Sequence, residues 1–247
     1  MRTARALLKQ INELLSFLLA EGLAIDSNSA IIRESGHDLI LTWANAPDRL
    51  FDALVGKFAS ITEYRNLIEN RHYHCMLFDG SIIQFGYLFT NNILSKHRNC
   101  YYPCPLIITS SDIEAIQSGH DFVTLFDLLL TQEIDALRAG ISKSEFSDKQ
   151  NLLQFSTPFR FDYDPSSQTD THPASHLHVL NEECRWPVFG PISVGHFVRF
   201  VFRHFYPKVW SKYDVLRNWG LQFHIRSITD QERGELFIEC NDFSQRT

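Results

Sequence analysis

Residues Phe159 to Tyr206 read FRFDYDPSSQTDTHPASHLHVLNEECRWPVFGPISVGHFVRFVFRHFY, and this stretch holds both periodicities on which the fold reading turns. Phe159 to Asp164 alternates apolar with charged residues, the pattern of a strand with Arg160, Asp162 and Asp164 on one face and three aromatic rings on the other. One buried and one wet face is the expectation. After a turn rich in Ser, Asp and Thr, His172-Pro173-Ala174-Ser175-His176-Leu177-His178-Val179 places His176 and His178 on one strand face and Leu177 and Val179 on the other. Paired as a long-looped hairpin, the two strands gather imidazoles and carboxylates on one surface, but the pattern does not set the register that decides this. Asp162 is not expected to bridge to Arg160 along the same strand, so each awaits a partner from elsewhere.

From Ser193 the period changes to that of a helix. Phe197, Phe200, Val201, His204 and Phe205 form one stripe and His196, Arg199 and Arg203 another, with Ser193 as cap and Pro207 as stop. His204 reads as a core histidine because it shares the apolar stripe.

Elsewhere the chain alternates helices with hairpins. Leu7, Leu8, Ile11, Leu14, Leu15, Leu18 and Leu19 predict an amphipathic helix over residues 4–20 that covers a sheet and stops near Gly22. Residues 30–33 and 39–43 read as a short hairpin, and 47–57 as a short helix with Leu50, Leu54 and Phe58 inward. Asp79-Gly80 between two apolar runs predicts a hairpin closed by a two-residue type I′ turn. His72 and His74 share a face there with Met76 and Phe78, company that favours satisfied histidines over ligands. His97 to Pro105 reads as a loop or irregular strand. A capping box from Ser110 or Ser111 starts a helix near 111–118, a second helix spans 121–137, and the tail offers a helix at 213–219 and an antiparallel pair, 221–226 with 236–240. The fold class is α+β: a mostly antiparallel sheet built from hairpins, covered by the N-terminal helix and two or three further helices. One domain, 1–247, is expected, with 142–150 as the candidate internal boundary.

Composition narrows the function. The 247 residues are 44% hydrophobic and include 20 Phe, which argues for a packed core. A formal net charge of -6 without a basic tail removes a global attraction for nucleic acid, while leaving room for a local phosphate site. Five scattered cysteines do not form a secreted disulfide framework, the charged N-terminus does not read as a signal peptide, and no apolar run is long enough to span a membrane. A cytoplasmic protein is expected. Cys100 and Cys104 read as semi-buried thiols in preference to zinc ligands.

Three chemistries suit the central segment. Metal-independent phosphodiester cleavage needs an acid, a base and cations, which His172, His176 and His178 with Arg160, Arg185 or Arg199 supply. Alternatively His172, His176, His178 and Asp162 ligate a divalent metal, oriented by Asp164 or Asp170. As a third reading, the same side chains form a buried polar network that joins elements. A non-enzymatic role also fits, with Tyr101, Tyr102, Trp186 and Trp210 as contact surface for a protein partner or a homodimer. Whether the chain is an enzyme stays open at this point.

The set Asp79-Gly80-Ser81-Ile82-Ile83-Gln84, His97-Arg98, Tyr102-Pro103, Arg160-Phe161-Asp162-Tyr163, His172-Pro173 through His176-Leu177, and Cys184-Arg185 with Gly190-Pro191 ahead of Phe197 to Tyr206 resembles an uncharacterised bacterial family known as a domain of unknown function. The resemblance covers approximately residues 35–230 and implies no activity. Arg160-Phe161-Asp162 and His172 to His178 are also similar to strands of small toxins of bacterial toxin–antitoxin systems, which carry Arg-Tyr-Asp and then Pro-His-x-His. Here two residues separate Pro173 from His176, and the chain is larger and acidic. That second resemblance implies a toxin–antitoxin or phage-defence setting: a hydrolase or ribonuclease acting on RNA or a nucleotide, or an interaction component of such a system.

Overall fold

The leucine stripe of the N-terminal segment folds as helix α1, Arg2–Ala20, with Leu7, Ile11, Leu14 and Leu18 almost completely buried. Each such side chain contributes roughly 1.5–3 kcal/mol by leaving water. Gly22 ends the helix with a positive φ of 65°, a conformation that costs glycine little. A computed structural model of the chain describes residues 2–48, 50–51, 60–138, 153, 156–179, 183–217, 219, 225–234 and 236–239. The expected boundary at 142–150 lies outside them, as do most of the expected helix at 47–57 and the start of the strand expected at 221–226.

Strands β1 Ala24–Ser27, β2 Ala30–Ser35, β3 Asp38–Trp43, β4 Cys75–Leu77, β5 Ile82–Thr90, β6 Ile93–Tyr102, β7 Phe159–Tyr163, β8 Ser175–Val179 and β9 Arg185–Pro187 form one nine-stranded antiparallel sheet. Its main path runs β1-β4-β5-β6-β7-β8-β9. Strand β5 is long enough to pair with β4 at its start and β3 at its end, and β2 continues outward from β3. The helices are α1, α2 Ile61–Glu69, α3 Ser110–Gln117, α4 Phe122–Arg138, α5 Val194–Phe205, α6 Pro207–Lys212 and α7 Asp230–Arg233. The α+β architecture therefore stands as expected. No helix among the described residues is long and apolar enough to cross a membrane.

Several local expectations change in detail. The Asp79-Gly80 hairpin exists, but its loop has three residues. The Leu77 N–H donates to the Ser81 carbonyl and the Gly80 N–H to the Leu77 carbonyl, and Gly80 alone takes a positive φ, 81°. Asp79 keeps negative φ and uses its carboxylate to accept the Ser81 N–H at 3.0 Å, so the type I′ geometry is not needed. Helix α3 is capped one residue early, by Thr109 boxed with Asp112. His97 to Tyr102 is regular strand within β6, because its prolines fall just past the strand end. In the tail, residues Asp214–Arg217 form a single 3-10 turn, and Ile238 bridges in parallel to Val188.

Each face of the sheet has its own covering. On one, α1 and α5 bury Leu41, Phe85, Tyr87, Phe159 and Phe161 in the larger core, with Phe197 edge-on to Phe85 at 5.7 Å. On the other, α2 and α4 pack Tyr64, Leu67 and Phe126 over Met76, Ile82, Cys100 and Tyr102. Cys100 and Cys104 are free, buried members of that second cluster. Tyr101 and Tyr102 are each 3% exposed, one in each cluster, which removes them from the expected contact surface. Among the described residues the second apolar cluster stops short of β7, β8 and β9, and that end of the face carries the polar site.

Candidate functional site

Strand β7 is buried on both faces, where one wet face was expected. Phe159, Phe161 and Tyr163 enter the larger core, while Arg160 and Asp162 face the other way at 3% and 8% exposure. The register then decides the site. Arg160 stands opposite His178 and Asp162 opposite His176 on β8, Arg98 of β6 stands opposite Asp162 from the other side, and Arg185 of β9 stands opposite His178. Four adjacent strands thus project their charged residues onto one face.

Asp162 is the electrostatic centre. Arg160 Nε donates to its Oδ2 at 2.8 Å and Arg98 Nε to its Oδ1 at 3.2 Å. The Arg160 bond corrects the expectation that same-strand partners would not meet: residues two apart on a strand face the same way, and the long arginine side chain spans the gap. Burial opposes ionisation of Asp162, but the two guanidinium groups outweigh it and hold the carboxyl well below its usual range. Arg98 Nη1 also donates to the Leu50 carbonyl at 2.8 Å, which fastens the 50–51 segment over the site. Gly86, opposite Arg98 on β5, leaves room for Leu50: a Cβ there would come within 2.9 Å of the Leu50 side chain.

The histidines form a chain. His176 Nδ1 lies 2.7 Å from the Pro173 carbonyl, which can only accept, so Nδ1 carries the proton and Nε2 is bare in the neutral ring. His176 Nε2 and His178 Nε2 are 2.8 Å apart, so His178 supplies the N–H and keeps a bare, buried Nδ1, which has no hydrogen-bond partner among the described residues. Burial lowers both pKa values, His176 to about 4 and His178 to about 3; for His178 the Arg160 charge adds to the effect, and for both the Asp162 charge opposes it. His172 packs edge-on to His176 at 4.8 Å and is half-buried. Its pKa is lowered by burial and then by Arg185.

These side chains enclose a cavity of about 130 Å³ whose lining includes Lys96, Arg98, Arg160 and Arg185 against Asp162 and Asp164, with His172, His176, His178 and Phe51. Asp164 is occupied at the wall: it accepts from Lys96 Nζ at 2.8 Å and from the Ser166 and Ser167 hydroxyls. Arg185 Nε is buried with no hydrogen-bond partner among the described residues.

Six of the seven expected catalytic residues, Arg160, Asp162, His172, His176, His178 and Arg185, therefore meet in one cavity. Arg199 does not. It projects from α5, which packs on the opposite face of the sheet, and donates to the Arg217 carbonyl at 3.3 Å. His204 is exposed, because the buried stripe of α5 runs through Val194, Phe197, Val198, Val201 and Phe202. Arg98 and Lys96 were missed. Their signal was the alternation Lys96, Arg98, Cys100, Tyr102, whose meaning appears only once β6 is registered against β7.

Asp162, His176 and His178 also have the donor set for a metal ion, with one ligand atom from each lying within 4.8 Å of the others. The Nδ1 bond of His176 to a carbonyl is the arrangement found behind metal-bound histidines. Both Asp162 oxygens, however, already accept from arginines. His172, the expected fourth ligand, is outside the trio.

The chain belongs to the family described as "Uncharacterized conserved protein (DUF2290)", whose model matches residues 23–240. No curated protein and no solved structure matches it. The family's description names no activity, so the toxin-like reading rests on the Arg-Phe-Asp and His-x-His strands alone.

Proposed function

We propose that the cavity binds a phosphoryl group of a nucleotide or RNA and hydrolyses its ester, with histidine acid–base groups and arginine clamps. One observation carries this reading: among the described residues of the lining, four cationic side chains face two carboxylates around a buried pair of neutral histidines. That imbalance favours an anion over a cation, and guanidinium groups match phosphate oxygens in a bidentate way. Asp162 accepts from both Arg98 and Arg160 and so holds the two guanidinium groups in place at the cavity. Arg185 supplies the guanidinium with donors to spare.

The tautomers assign the proton roles. His176 Nε2, bare because Nδ1–H is held by Pro173, takes the proton of the attacking water as its oxygen bonds to phosphorus. The phosphorus–oxygen bond to the leaving group breaks, and His178 Nε2–H gives its proton to the departing oxygen. In the resting protein the two rings satisfy each other; a phosphoryl group takes the place of that bond. Its negative charge raises both pKa values from about 4 and 3 toward the range where histidine transfers protons well.

The test is hydrolysis of nucleoside phosphates and short RNA by the purified chain and by His176→Gln and His178→Gln. Glutamine keeps polarity without a titratable nitrogen. Each variant is expected to lose about 10²–10⁴-fold in turnover while staying folded by circular dichroism; folded variants with unchanged turnover contradict the proposal. The metal reading, favoured by the Asp162–His176–His178 trio alone, expects about one zinc or manganese per untagged chain, lost in His176→Ala/His178→Ala.

A further inference from the structure

We infer that the site takes a phosphomonoester end and excludes internal phosphodiesters of a polynucleotide. This rests on the phosphoryl-binding reading above and narrows it to a substrate class.

Depth is the first argument. The reacting groups, His176 and His178, are each 2% exposed and lie on the floor formed by β7 and β8. Only a group that projects into the cavity reaches them. Size is the second. At about 130 Å³ the space is close to the roughly 150 Å³ of a cavity that takes one benzene, a molecule of about the bulk of one phosphoryl group. Sites that swallow a whole drug-sized ligand measure roughly 300–1,000 Å³. An internal diester carries a sugar on each of two oxygens, so bringing its phosphorus to the floor requires the chain to enter and leave through the same small space. A monoester presents three terminal oxygens and needs one exit.

Charge is the third argument. Binding along a polynucleotide depends on many phosphate contacts. This chain has 23 Lys and Arg against 29 Asp and Glu, and the cations of the site are gathered in the cavity, not strung along a track. Lys96, Arg98, His172 and Arg185 are half-buried basic groups of the lining, and Phe51 offers a ring for a base or other planar group left outside.

Isothermal titration of the full chain with four probes decides this: inorganic phosphate, adenosine 5′-monophosphate, adenylyl-3′,5′-adenosine without a terminal phosphate, and the same dinucleotide 5′-phosphorylated. The expected result is that phosphate and the two 5′-phosphorylated probes bind, the phosphorylated dinucleotide at least tenfold tighter than its unphosphorylated form. Arg185→Ala, on the edge strand β9, is expected to weaken them tenfold or more. Equal, Arg185-dependent binding of the two dinucleotides overturns the monoester class and leaves the phosphoryl site standing. No binding by any probe, or binding that Arg185→Ala leaves unchanged, overturns both.

Discussion

Among the described residues four histidines lie buried, at 0–2% exposure, and they differ in their surroundings. His74 sits singly among aromatic rings, and His97 does too, although it also borders the cavity and feels the Asp162 and His176 charges. His74 Nδ1 accepts the Phe85 N–H at 3.1 Å, His97 Nε2 accepts the Ile192 N–H at 2.8 Å, and His97 stacks on Tyr163 at 5.9 Å. His176 and His178 sit as a pair beside a carboxylate and three arginines, around a cavity. Burial lowers all four, to about 3 for His74, His97 and His178 and about 4 for His176. Depressed basicity is therefore common to all four, and it does not mark a site. What separates His74 from the pair is the company: backbone N–H groups and rings in one case, charged groups and space in the other, with His97 at the border of the two.

The largest effect expected from this comparison is on acid stability. For a histidine whose folded pKa lies below the ordinary value near 6.5, both states are neutral above that value. As pH falls through it the unfolded chain takes up protons first, so stability drops until the folded values near 4 and 3 are reached. Each group contributes up to about 1.4 kcal/mol per pH unit in that window, and four of them together exceed a typical domain stability of about 5–15 kcal/mol near its lower end. Urea unfolding at pH 7, 6 and 5 is expected to show a steep decline beginning below 6.5. Saturating phosphate should remove the share due to His176 and His178 and leave that of His74, which lies outside the cavity lining. A flat profile from pH 7 to 5 contradicts the assignment of neutral buried imidazoles.

Asp162→Ala comes next. It strands the Arg98 and Arg160 charges in a buried setting, where loss of one partner costs about 3–5 kcal/mol. The denaturant midpoint measures this, and a change under 1 kcal/mol would mean that solvent reaches the guanidinium groups. The smallest effects belong to the residues the sheet keeps apart from the cavity. Arg199→Ala and His204→Ala are expected to change stability by less than about 0.5 kcal/mol and leave phosphate affinity unaltered. A loss of affinity in Arg199→Ala would reconnect α5 to the site.

Those two residues also show how far the sequence could be read. Alternation in Phe159 to Asp164 and His176 to Val179 assigned every side chain of β7 and β8 to its correct face, because a strand's period of two is strict. Four of the residues that meet at the cavity, Arg160, Asp162, His176 and His178, followed from it. Arg199 failed because a helix stripe says which residues cluster on the helix but not which face of a sheet the helix covers. Arg98 was missed for the opposite reason: it lies on a strand 62 positions before Arg160 in the chain, and only the pairing of Arg98 with Asp162 brings them together. His204 fell outside the core because α5 turns on Val198 and Phe202, a stripe displaced by one position from the expected one. The wet face of β7 became buried because three neighbouring strands and the segment at Leu50 close around it.

The most direct measurement is a histidine-detected NMR titration of the intact protein with inorganic phosphate. The imidazole resonances of His176 and His178 are expected to shift together, with their pKa values rising on saturation, while those of His74, which is not part of the cavity lining, stay in place. Stationary His176 and His178 signals at phosphate concentrations that saturate no other part of the chain would contradict a phosphoryl site and leave the cluster as a structural joint between strands.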